Sequence, residues 1–233
     1  MSLPVLLYTM VRARGTVSLM RSIRPNKLNE PFHVSRELKV GKSLPNYFYL
    51  MPNRTEQEFD KRIDWEKIVS EMKSTDSCTK FHGHHLEMYR PGKMWYRSML
   101  ADKSHTIFVI EREDRENQLL SALLATHHGW FRSEQDATEI RACKITDSEL
   151  AMLKYYITSH LNNFPTYGTV VTYDTLPESF FVKKELGEFN QHSLLRHQCL
   201  LNLDYCKEVI ADLLSYYKEE WDEKIRTIKP NKY

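Results

Sequence analysis

Hydrophobic positions along this chain recur with two different periods, and each change of period marks an element. Ala137–Ile145 predicts a short strand that runs directly into an amphipathic helix over Asp147–Phe164. On that helix Leu150, Leu153, Ile157, Leu161 and Phe164 fall on one stripe, with Lys154 and Ser159 off it. Pro165 ends it. Gly168–Tyr173 predicts a second strand, followed by a short helix ending at Glu185-Leu186-Gly187 and a third strand over Leu194–Leu203. The longest periodic stretch comes last. Cys206, Val209, Ile210, Leu213, Leu214, Tyr217, Trp221, Ile225 and Ile228 recur at three- and four-residue steps, which predicts a C-terminal helix over 206–228 and a polar tail over 229–233.

The first half is more broken. Asn46–Met51 predicts a short aromatic strand, Pro52-Asn53 a turn, and Thr55-Glu56-Gln57-Glu58 fits a capping box. Trp65, Ile68, Val69 and Met72 lie at helix spacing, with Asp64 as a cap. The polar stretch Ser74–Lys80 predicts a loop, Pro91-Gly92 a turn, and Met94–Leu100 a short helix. Thr106–Ile110 and Gln118–Thr126 are apolar runs joined by the charged segment Glu111–Asn117, which predicts an antiparallel hairpin; Trp130-Phe131 extends its second arm. The expected class is therefore α/β, with a mixed, largely antiparallel sheet flanked by helices and a long C-terminal helix.

With 233 residues, 41% hydrophobic and 27% charged, the chain has the composition of a globular domain able to bury a core. No apolar run approaches the roughly 20 residues of a membrane-spanning helix, so no membrane span is expected. Cys78, Cys143, Cys199 and Cys206 show no C-x-x-C spacing, which points to buried reduced thiols.

Charge changes the picture once it is divided. Arg12, Arg14, Arg21, Arg24 and Lys27 precede the first acidic residue, Glu30. Without those five, 28 Lys and Arg face 31 Asp and Glu, so the remainder is about −3. A direct nucleic-acid binder would carry its basic excess on the folded body, so that class is disfavoured. Residues 1–30, rich in Arg and hydroxyls, free of acids until Glu30 and studded with Leu3, Leu6, Leu7, Met10, Val11, Val17, Leu19 and Met20, have the composition of a mitochondrial transit peptide. That predicts a matrix address, a linker over 31–45 and a folded domain over 46–205.

The order of elements resembles the GNAT superfamily of N-acetyltransferases, with Ser179–Leu186, Gly187 and the strand after it as the best local match. The resemblance implies acyl-CoA as cofactor and an amine as acceptor. It implies that Ile145, Thr146 and Ser148, at the strand-to-helix join, hold the cofactor's pyrophosphate. It also implies Glu139 as base, with Tyr173 or Ser179 as proton donor. The join departs from the family. Lys144-Ile145-Thr146-Asp147-Ser148-Glu149 has no glycine, and Thr146 with Glu149 can close a capping box on the amides that a phosphate would use. The alternative is a non-catalytic GNAT-like subunit that binds or assembles with a protein partner in mitochondria; a peripheral component of the organelle's translation apparatus is a third option.

Other chemistry has plain competitors. His82, His84 and His85, with His127-His128, invite a zinc site, but no spacing signature links the two groups, and no metal is expected. Gly41-Lys42-Ser43 lacks the earlier glycine of a phosphate-binding loop.

Overall fold

The computed structural model describes residues 3–11, 23, 26–29, 65–88, 90–128, 142–172 and 199–231. Its framework is a five-stranded sheet, β1 Val5–Thr9, β2 Asn26–Asn29, β3 Ser77–His82, β4 Thr106–Glu111 and β5 Thr169–Thr172, in the order β2-β3-β1-β4-β5. Every pairing is parallel. The helices are α1 Trp65–Lys73, α2 Gly83–Met88, α3 Arg90–Asp102, α4 Arg115–His128, α5 Asp147–Asn162 and α6 Leu203–Thr227.

The parallel sheet overturns the largely antiparallel one expected. The decisive element is the run Gln118–Thr126, which is not the second arm of a hairpin but the body of α4. Asp114 accepts from the Asn117 amide at 3.0 Å and starts that helix. The apolar core of the run, Leu119-Leu120-Ser121-Ala122-Leu123-Leu124, has no β-branched residue, so its intrinsic preference is helical. A helix after β4 supplies the crossover that a parallel return requires, and β5 pairs with β4 in parallel.

Two further expectations fail locally. Within Ser74–Lys80, expected as a loop, Ser77 begins β3, whose residues Ser77, Cys78 and Thr79 are fully buried between two neighbouring strands. Pro91-Gly92 lies inside the first turn of α3 rather than in a turn between elements; proline is tolerated there because the amide has no helical partner to lose. The helix over Trp65–Lys73 and the strand from Thr106 agree with the pattern. The long helix begins at Asp147 as expected and ends at Asn162. Of the strand expected over Ala137–Ile145, the described part holds only an isolated bridge, Cys143 to Leu200, outside the sheet. The linker 31–45, the strand Asn46–Met51, the Thr55 capping box, Trp130-Phe131 and the helix ending at Gly187 lie outside the described residues.

The segment expected as a removable address carries the middle of the sheet. β1 is buried on both faces, which is why Val5-Leu6-Leu7-Tyr8 is a continuous apolar run rather than an alternating one. Leu6 and Tyr8 join Ile107 and Val109 beneath Met72, Leu86, Tyr96, Met99, Phe164 and Tyr167. Val5 and Leu7 turn to the opposite face with Cys78 and Ile110. A chain cut after residue 30 would lose β1 and β2.

Beyond the carboxyl ends of the strands, Met10 and Val11 enter a second apolar cluster formed by α4, α5 and α6. Cys78, Cys143, Cys199 and Cys206 are all buried free thiols, and burial, aided by Cys199, pushes the Cys143 thiol up to about 12. At the opposite edge the C-terminal tail is sewn into the sheet. The Asn231 carboxamide accepts from the Ile107 amide at 2.9 Å and donates to the Ile107 carbonyl at 3.0 Å. Among the described residues no helix is long and apolar enough to cross a membrane.

Candidate functional site

Because all five strands run the same way, their carboxyl ends share one edge, and the residues there come from distant parts of the chain. β1 stands between β3 and β4. From β1 the chain crosses toward β2, whereas from β4 it moves the other way to β5. Connections that diverge from adjacent strands leave a crevice outside their carboxyl ends, and open parallel sheets bind ligands there.

The exit of β1 is held from both sides. The His82 Nδ1–H donates to the Thr9 carbonyl at 3.0 Å, and Gln118 Nε2 on α4 donates to the Val11 carbonyl at 2.9 Å. The Thr9 hydroxyl lies 3.2 Å from the Ile110 carbonyl across the β1–β4 pair. Three backbone carbonyls at or just past the ends of β1 and β4 are thus fixed by side chains of β3, β1 and α4. Past Val11 the sequence reads Arg12-Ala13-Arg14-Gly15-Thr16-Val17-Ser18.

At the end of β3 three imidazoles gather. His82 and His84 stack with centroids 5.4 Å apart, His85 meets His84 edge-on at 4.1 Å, and Tyr156 of α5 lies 5.0 Å from His84. The group is locked by close packing at Gly83: a Cβ there would meet the Ser159 carbonyl, Tyr8 Oη at 2.7 Å and His160 Cα at 2.8 Å. The sequence singled out these histidines, and the structure brings them together. His127 stands apart from them, bonded to Glu149 at 2.7 Å. No three His, Cys, Asp or Glu among the described residues are arranged to hold a metal ion.

At the end of β4, in the charged segment expected to join a hairpin, lies a buried carboxylate. Glu111 accepts from His160 Nε2 at 3.1 Å and from Trp221 Nε1 at 3.0 Å, and pairs with Arg115 at 3.8 Å. Arg115 in turn stacks over the Trp221 ring at 4.1 Å and reaches Asp222 at 3.7 Å. A charge taken out of water is tolerated only with such partners. Because the carboxylate accepts, His160 carries its proton on Nε2, and its Nδ1 is buried with no hydrogen-bond partner among the described residues. Tyr8 donates to the His160 carbonyl at 2.6 Å, and burial first, then Tyr96 and the Glu111 charge, raise its hydroxyl well above the usual range.

The residues expected to hold a pyrophosphate are together, but elsewhere. Ile145 is buried, with both backbone groups bonded to the Asn202 carboxamide at 3.0 Å. The Thr146 amide donates to Glu149 Oε2 at 2.8 Å, and its hydroxyl accepts from the Glu149 amide at 3.3 Å, closing the capping box. Ser148 faces solvent, its hydroxyl 3.0 Å from that of Thr146. The amides of Ile145, Thr146 and Glu149 are thus already spent on internal partners, beside the carboxylates of Asp147 and Glu149. The residues expected as base and donors, Glu139, Tyr173 and Ser179, lie outside the described residues.

Comparison with protein-family models, with curated proteins and with solved structures finds no match for this chain.

Proposed function

We propose that the protein binds a phosphate-bearing nucleotide cosubstrate at the carboxyl edge of the sheet, outside β1, and transfers a group from it to an acceptor. One observation carries this reading: the strand order diverges between β1 and β4, with the exit of β1 tethered by His82 and Gln118. The sequence that follows supports it. Arg12 and Arg14 around a single Gly15, with Thr16 and Ser18, are the residue types that recognise phosphate oxygens through guanidinium forks, hydroxyls and unobstructed backbone amides. The half-buried His84 at the neighbouring strand end supplies an imidazole of the kind that takes a proton from an amine or hydroxyl acceptor near neutral pH.

Acyl-coenzyme A belongs to this donor class, since its anionic half contains an adenosine 3′,5′-bisphosphate unit extended by a second 5′-phosphate. The acyl-transfer reading therefore continues as one form of the proposal, with the anion seated after β1 rather than at Thr146. A role in mitochondria would be exercised by a chain that keeps Val5–Thr9.

Titration calorimetry with coenzyme A, adenosine 3′,5′-bisphosphate, and ATP with magnesium tests the reading. At least one is expected to bind in the micromolar range, with affinity falling as salt rises and falling at least tenfold, about 1.4 kcal/mol, in Arg14→Ala. Absence of binding at millimolar ligand, or binding indifferent to Arg14→Ala, overturns it. Absence of binding combined with co-purification of a stoichiometric protein would favour the non-catalytic assembly subunit.

A further inference from the structure

We propose that Glu111 and Trp221 are positioning residues for the carboxyl edge, acting through α4 on the exit of β1; the inference rests on the nucleotide reading for what that edge binds. The contacts form one continuous chain. Trp221 of α6 donates to Glu111, the last residue of β4, and carries the Arg115 guanidinium on its ring. Asp222, the next residue of α6, pairs with the same guanidinium. Arg115 opens α4, and Gln118, three residues on and so on the same side of the helix, donates to the Val11 carbonyl. The C-terminal helix thus sets the seat of α4, and α4 sets where the chain leaves β1. Residues 110 apart in sequence meet at the carboxyl edge of the sheet.

The geometry also says which contact matters most. Glu111 Oε2 has Trp221 Nε1 at hydrogen-bond length, whereas the Arg115 nitrogen is at 3.8 Å. Trp221→Phe removes the donor, keeps a ring beneath Arg115, and leaves that buried oxygen to recruit Arg115 away from its present seat. Glu111→Gln keeps an acceptor for Trp221 and removes the charge that faces Arg115.

Two measurements test this. Hydrogen exchange on the unliganded protein is expected to show faster exchange in Trp221→Phe at Met10–Val11 and in the first turns of α4. Unchanged exchange at both places overturns the proposal. Binding of adenosine 3′,5′-bisphosphate is expected to weaken about fivefold in Trp221→Phe, in Glu111→Gln and in Gln118→Leu. The Trp221→Phe/Gln118→Leu double variant should be no weaker than the worse single one. Leu213→Ala, half-buried in the same apolar cluster, is the control that lowers the melting temperature without changing affinity. Affinity losses that multiply in the double variant, or no larger than that of Leu213→Ala, overturn the proposal. If the native protein ignores the nucleotide, the nucleotide reading fails, and the exchange result alone decides the positioning role.

Discussion

Gly83 shows how much one residue can decide. It stands where β3 passes into α2, and α5 crosses it so closely that backbone atoms of Ser159 and His160 and the Tyr8 hydroxyl occupy the space of a Cβ. A methyl group cannot displace backbone cheaply. Gly83→Ala is expected to lower stability by about 1–3 kcal/mol, read as a lower denaturant midpoint at unchanged slope. A change within about 0.5 kcal/mol, the ordinary range for a neutral surface site, would show that α5 can move aside. Nothing in the sequence around Gly83 signals this, because the crowding comes from residues more than seventy positions away. Glu111 was missed for the same reason. In a run of charged residues nothing distinguishes the one that α5 and α6 later bury.

Among the elements, α5 is the one whose beginning was readable in full. Thr146 and Glu149 close the box that their spacing predicts. Burial nudges the Glu149 carboxyl up, but hydrogen bonds from the Thr146 amide and hydroxyl and from His127 outweigh it and hold the group below its usual range. A carboxyl lowered in the folded state stabilises the fold above its unfolded value, near 4.5, and loses that contribution as pH falls through the folded value. Thr146→Ala is therefore expected to cost about 0.5–2 kcal/mol at pH 7. The difference from the native chain should narrow below pH 4 in urea titrations at successive pH values. A gap that stays constant with pH would show that the box does not depend on the ionised carboxylate. By contrast, the pattern over Gln118–Thr126 predicts a strand where the chain forms α4. Its apolar run is short enough for either element, and only the lack of β-branched residues told against a strand.

For the whole molecule, the parallel sheet makes the amino terminus indispensable. β1 pairs with β3 on one side and β4 on the other, so the sheet has no centre without it. A chain beginning at residue 31 is expected to lose its cooperative thermal transition and its near-ultraviolet circular dichroism. Retention of a sharp transition close to that of the full chain would show that Val5–Thr9 is dispensable. The cationic, acid-free composition of residues 1–29 is real, but composition averages over positions. What it hides is that Val5–Tyr8 is an apolar run, and in an all-parallel sheet such a run is the mark of a central strand.

By itself the sequence determined the local terms: where α1 and α5 start, that Thr106–Ile110 is a strand, that the last long element is a helix, and that the thiols are buried. These follow from periodicity, capping and β-branching, which act over a few residues. The tertiary structure alone decided that the strands run parallel, that β1 is their centre, and that Glu111, His160 and Trp221 meet. Those outcomes depend on which distant surfaces bury each other, and the free energy of that burial belongs to pairs of elements, not to any stretch of chain read alone.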